Sequence, residues 1–167
     1  MALSRNWRVA LAALAVVGVT LAAYALAQRP TGPDAAFTTL DGRQMRLQDL
    51  RGKVVAVTFW ATSCPICVGE MPDLIETYRQ YQPRGFELVA VAMAYDAPDQ
   101  VRNFAQSRGL PFPVALDGDG KLARQFGDTR VVPTTFLIDK DGTVVSRTLG
   151  AIDFSKLRQY LDASLGT

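Results

Sequence analysis

The stretch "TFWATSCPICVGEMPDL", residues 58–74, contains both cysteines of this 167-residue chain, Cys64 and Cys67. Two thiols at that spacing suit a metal site, a haem tether, a structural staple or a redox pair. Structural zinc takes four Cys or His ligands, and the chain has two cysteines and no histidine. Covalent haem attachment needs a histidine directly after the second cysteine, where Val68 stands. A pair of soft thiolates can bind Cu(I), so copper stays open. A staple closing so short a loop stabilises by only about 2 kcal/mol in the chain-entropy model.

The surroundings favour the redox pair. "KVVAVTFW", residues 53–60, is β-branched and apolar, as a buried central strand is. "CVGEMPDLIETYRQYQ", 67–82, has helical character, with Pro72 inside it as an expected kink. Pro65 suits the first turn of a helix, where its missing N–H costs nothing. Cys64 is therefore expected at the helix N-terminus, where free N–H groups and the helix dipole favour a thiolate. Cys67, one turn further in, is expected to be deeper and to attack the mixed disulfide that Cys64 forms.

Working outward, "FTTLDGRQMRLQDLRG" predicts a hairpin at Asp41-Gly42. "FELVAVAMA" is a second buried strand, followed by a helix over 96–109 with Gly109 as its stop. "PFPVALD" is a short strand and "GKLARQFG" a short helix; "DGDG", 117–120, is a turn that lacks the remaining ligands of a calcium loop. "TTFLID" and "TVVSRTLG" form a hairpin, and "DFSKLRQYLDASL" closes as an amphipathic helix. This order predicts an α/β domain: a mixed central sheet with helices on both faces, and a site where a central strand runs into a helix.

The N-terminus is different. Val9–Ala27 is 19 residues without a charge, preceded by Arg5 and Arg8. As a helix it spans roughly 28 Å, close to a bilayer core. It is expected to be a transmembrane anchor, with a cytoplasmic N-terminus at 1–8. The alternative is a signal peptide cleaved after Ala27, because Ala25-Leu26-Ala27 has the form of a cleavage site. Residues 28–36 are expected to be a linker and 37–167 the exported domain. The net charge of +2 belongs to the leader: from Phe37 onward there are 15 basic and 15 acidic residues. Nothing here suggests nucleic-acid binding.

"VTFWATSCPIC" with "EMP" behind it, "ELVAVAM", and "VVPTTFLIDKDGTVV" together resemble the thioredoxin superfamily, in particular its TlpA/ResA-like exported thiol–disulfide oxidoreductases. The resemblance covers roughly residues 36–165 and implies a thioredoxin-like fold with a central αβ insertion near 86–116. It implies a cis Pro133 beside the cysteines, with the Val132 backbone receiving an extended substrate segment as an added strand. Trp60 is expected beside the site, with Ser63, Pro65 and Ile66 forming its surface. Glu70 falls where this branch carries an acidic residue near the buried cysteine, and a proton relay to Cys67 is implied. Two departures stand out. Ser63 replaces a tryptophan common before the first cysteine, and Thr58 stands where thioredoxin has a buried aspartate. The spacing of Thr62 to Cys64 does not match a peroxiredoxin.

The expected function is reduction of disulfides in envelope proteins through Cys64 and Cys67. No cofactor or metal beyond that disulfide is expected, and a membrane thiol carrier would be the electron donor. The expected location is the inner membrane, with the domain in the periplasm. The alternative is a Cu(I)-binding carrier or copper-site assembly protein using the same cysteines.

Overall fold

The computed structural model describes residues 5–27 and 30–166. The expectations for residues 1–4, 28 and 29 lie outside the described residues. The chain divides into two units, residues 1–30 and 31–167.

The first unit is one helix, α1 (Arg5–Ala27). Thr20 Oγ1 donates back to the carbonyls of Val16 and Val17, the local satisfaction that lets a hydroxyl sit inside an apolar helix. Among the described residues no helix is long and apolar enough to cross a membrane. Several α1 side chains, including those of Val9, Ala22, Ala23 and Ala25–Ala27, lie outside the described set.

The second unit has the α/β order predicted by the sequence patterns. A small antiparallel pair, β1 (Ala36–Thr38) and β2 (Gln44–Arg46), leads by a short 3₁₀ turn to β3 (Val54–Trp60). Then come α2 (Pro65–Tyr81), β4 (Phe86–Ala92), α3 (Pro98–Arg108), β5 (Val114–Leu116), α4 (Lys121–Gln125), β6 (Thr134–Ile138), β7 (Val144–Leu149) and α5 (Phe154–Leu165). The five-stranded sheet is ordered β5-β4-β3-β6-β7. β3, β4 and β5 run parallel, and β6 and β7 are antiparallel additions, so the sheet is mixed. β4 pairs with β3 along its whole length. The segment expected as an αβ insertion, 86–116, carries β4, α3 and β5. α2 continues as a helix through Pro72.

Both central strands are buried on both faces, and alternation sorts their side chains into two cores. Val54, Ala56 and Trp60 of β3 join Leu88 and Ala90 of β4 under α2 and α5, against Met71, Leu74, Leu157 and Leu161. Val55, Val57 and Phe59 face the other way, toward Phe37, Leu50, Leu122 and Phe126. Phe126 lies 5.4 Å from the Phe59 ring and 5.1 Å from Phe136, both edge-on. Such pairs add about 0.5–1.5 kcal/mol each beyond buried area.

The contacts of this unit reach back into the expected linker. Gly32 N donates to Gly142 O at 2.8 Å, Gln125 Nε2 donates to Asp34 O at 2.8 Å, and Ala35 is fully buried. Asp117, in the "DGDG" turn, accepts from Leu122 N (2.8 Å) and Ala123 N (2.9 Å). That buried carboxylate caps α4.

Candidate active site

β3 ends at Trp60 and α2 begins at Pro65, so three residues and a cap, 61–64, make the whole connection. Cys64 is the N-cap of α2, with extended backbone (φ −94°, ψ 107°) and Pro65 in the first turn. Cys64 N donates to Ala61 O at 3.1 Å, closing a turn, and Val68 N donates to Cys64 O at 3.0 Å, opening the helix. Cys67 N points at Cys64 Sγ, 3.2 Å away. An N-cap atom that receives a free helix donor is where a developing negative charge is held best.

Cys64 and Cys67 are joined in a disulfide with Cα atoms 5.3 Å apart, within the usual range. Their exposures differ. Cys67 is 1% exposed within the core under α2, while Cys64 is half-buried at its edge. Ser63, Pro65 and Ile66 are all exposed around it.

The Val132-Pro133 peptide is cis. Val132 O lies 3.8 Å from Cys64 Sγ; because a disulfide sulfur carries no hydrogen, this is a contact and not a hydrogen bond. The loop is fixed on both sides: Thr134 Oγ1 donates to Val131 O (2.6 Å) and Gly150 N to Pro133 O (2.8 Å). β6 begins only at Thr134, so Val132 stands outside the sheet ladder, beside the sulfur.

Trp60 is fully buried in the same core as Cys67, its ring 5.2 Å from Phe104. It is a core residue lying under the site. Glu70 is on the same helix as Cys67, three residues on, and so on the same face. It is buried, and Oε1 accepts a hydrogen bond from Ile152 N, in the loop before α5. Burial pushes the Glu70 carboxyl above the ordinary glutamate range; the Ile152 bond opposes this and the nearby Asp73 charge adds to it. Thr58 is buried and accepts from Thr135 Oγ1 at 2.9 Å, across the β3–β6 pair. A hydroxyl pair stands at this depth, and Glu70 is the buried carboxylate of α2.

Two features have no local signature. Val132 O reaches Cys64 across 68 positions. Asp96, after β4, is buried and accepts from both the N–H and the hydroxyl of Thr62. The tertiary fold alone makes both pairings; no spacing in the sequence marks them. A groove of about 710 Å3, lined by Val68, Met71, Pro72, Ile75, Arg79 and Arg108 among others, includes neither sulfur.

The chain matches the Redoxin family over residues 27–161. It is 40% identical over 129 residues to a thiol–disulfide oxidoreductase ResA of Bacillus thuringiensis, covering 77% of this chain and 73% of that protein. It is 37% identical over 156 residues to the ResA of Geobacillus thermodenitrificans, covering 90% and 88%. Among solved structures, a thiol:disulfide interchange protein of the thioredoxin family from Chlorobium tepidum superposes with a TM-score of 0.75 at 28% identity, covering 83% of this chain and 98% of that one.

Proposed function

The chain belongs to the Redoxin family and is a thiol–disulfide oxidoreductase, and on that premise we propose that it reduces disulfides of envelope proteins from a domain tethered to the membrane by residues 9–27. The observation that carries this reading is the order of the two sulfurs. One is half-exposed at a helix N-terminus beside the Val132 carbonyl, and the other is buried one turn behind it.

In the reduced form the Cys64 thiolate attacks one sulfur of a substrate disulfide. A Cys64–substrate bond forms as the substrate bond breaks, and the leaving sulfur takes up a proton. Cys67 then gives its proton to Glu70 and attacks Cys64 Sγ. The Cys64–Cys67 bond forms, the mixed disulfide breaks, and the second substrate sulfur leaves and is protonated. Two electrons pass to the substrate, and the closed pair described above is the oxidised product. A membrane thiol carrier restores the dithiol by the reverse exchange, and no cofactor takes part.

The reducing direction is supported by what the active-site loop lacks. A strongly stabilised thiolate makes a pair oxidising. Pro65 and Ile66 add no charge or polar side-chain donor, and the chain has no histidine. Stabilisation at Cys64 then comes from the helix N-terminus and the Cys67 N–H. Substrate would lie extended along Val132, where Ile66 in the cysteine loop and Val131 next to Val132 expose apolar side chains, at 55% and 61% exposure. The anchor is supported by the uncharged run behind Arg5 and Arg8. No observation favours the Cu(I)-carrier alternative, which needs both sulfurs reduced.

The equilibrium of the pair against glutathione tests the direction: a constant far to the oxidising side reverses it. Retention of the full chain in carbonate-washed membranes tests the anchor. A mature protein beginning at Gln28 would replace the anchor by a cleaved leader.

A further inference from the structure

Asp96 is a buried carboxylate that the exchange steps leave unused, 7% exposed in the turn between β4 and α3. Met93 N donates to Trp60 O at 3.0 Å and Asp96 N to Met93 O at 2.9 Å, so this turn is set directly on the end of β3. Its side chain thereby meets Thr62, 34 positions earlier. Oδ2 accepts from Thr62 N and Oδ1 from Thr62 Oγ1, each at 2.6 Å. Both oxygens of the Asp96 carboxyl group are thereby occupied by Thr62. The turn closed by Cys64 N on Ala61 O wraps around Thr62. The grip therefore falls two residues before the nucleophile.

We infer that Asp96, acting through Thr62, is a positioning residue that holds Cys64 at the mouth of α2 and, by its fixed negative charge, sets the Cys64–Cys67 couple toward reducing. The reduced couple carries its negative charge at Cys64, and the disulfide is neutral. A like charge nearby destabilises only the reduced form. Electrons are then given up more readily. The inference concerns where the couple is set and stands whichever way electrons flow in the cell. The geometric half has the same origin: a three-residue connection with one side of its backbone pinned cannot swing the sulfur away from the helix donors.

Three variants of the full chain separate the two halves. Asp96→Asn keeps the shape: its amide oxygen accepts from Thr62 N and its amide nitrogen donates to Thr62 Oγ1. The glutathione equilibrium should move toward the dithiol by about three- to tenfold, or about 15–30 mV in potential. Thr62→Val keeps the charge and the backbone bond but strands one carboxylate oxygen. It should slow attack of reduced Cys64 on a peptide disulfide by about three- to tenfold and leave the equilibrium within about twofold. Thr62→Ser should restore the rate. An Asp96→Asn constant equal to or more reducing than the parent overturns the electrostatic half. A Thr62→Val rate equal to the parent, or no rescue by serine, overturns the positioning half.

Discussion

Replacing Glu70 by glutamine removes one property of this side chain and keeps the rest. The amide oxygen can still accept from Ile152 N, so the link from α2 to the loop before α5 survives. The loss is the proposed ability to take a proton from Cys67. A positioned general base contributes about 10²–10⁴ to such a step. Water can still take the proton, so the lower end applies: resolution of an acid-trapped mixed disulfide should slow by about 100-fold near neutral pH. The defect should shrink in alkali, where solvent deprotonates Cys67 directly.

Stability should move the opposite way. Burial raises the folded-state value of the Glu70 carboxyl, so ionising it is harder folded than unfolded. Its stabilising contribution is complete below the ordinary glutamate range and is lost as pH rises through the raised folded value. Glutamine never ionises, so the variant should gain melting temperature over the parent across that window and hold the gain above it. Glu70→Ala adds a structural loss, because Ile152 N is left unpaired at a cost of about 1–2 kcal/mol. Quenched-flow trapping with a peptide disulfide, with thermal melts at several pH values, reads both effects. A glutamine variant that resolves mixed disulfides at the parental rate near neutral pH would refute the proton-relay assignment.

Other outcomes follow from the same geometry. Cys67→Ser should accumulate a mixed disulfide with substrate that survives gel filtration, and Cys64→Ser should accumulate none; the reverse pattern would exchange the two roles. Ile66→Asn should raise KM for a protein disulfide about tenfold, the value of burying about 1.4 kcal/mol of apolar contact, while oxidation of dithiothreitol is unchanged; an unchanged KM removes Ile66 from the docking surface. Asp117→Ala should cost about 2–4 kcal/mol in urea denaturation, because two buried N–H groups at the start of α4 lose their acceptor; a cost below about 0.5 kcal/mol would mean those donors find other partners.

Much of this was legible because local chemistry and tertiary role coincide. The almost wholly apolar, β-branched runs of β3 and β4, broken only by Thr58 and Glu87, read as buried strands, and Pro65 after Cys64 suits a helix start. Pro133 is a different case. Its residues say only that a proline precedes a strand, and resemblance was needed to place it beside the sulfurs. Asp117 looked like part of a turn because its partners are backbone N–H groups, which leave no mark in a sequence. Asp96 and Thr62 were opaque for the same reason, compounded by the 34 positions between them. Strand register decides that Thr58 faces Thr135, and neither residue type demands the other. The boundary near Thr31 was blurred because Pro and Gly signal irregular backbone but not whether that backbone is docked.

The bond from Ile152 to Glu70 ties a main-chain amide, 82 positions away, to the group through which the catalytic proton is proposed to pass. Each turnover that charges and discharges that carboxylate would be felt at this amide. Its nitrogen chemical shift and solvent-exchange rate should therefore alternate with every catalytic cycle. An isotope label at Ile152 would act as a gauge of the enzyme's working state that leaves both sulfurs untouched.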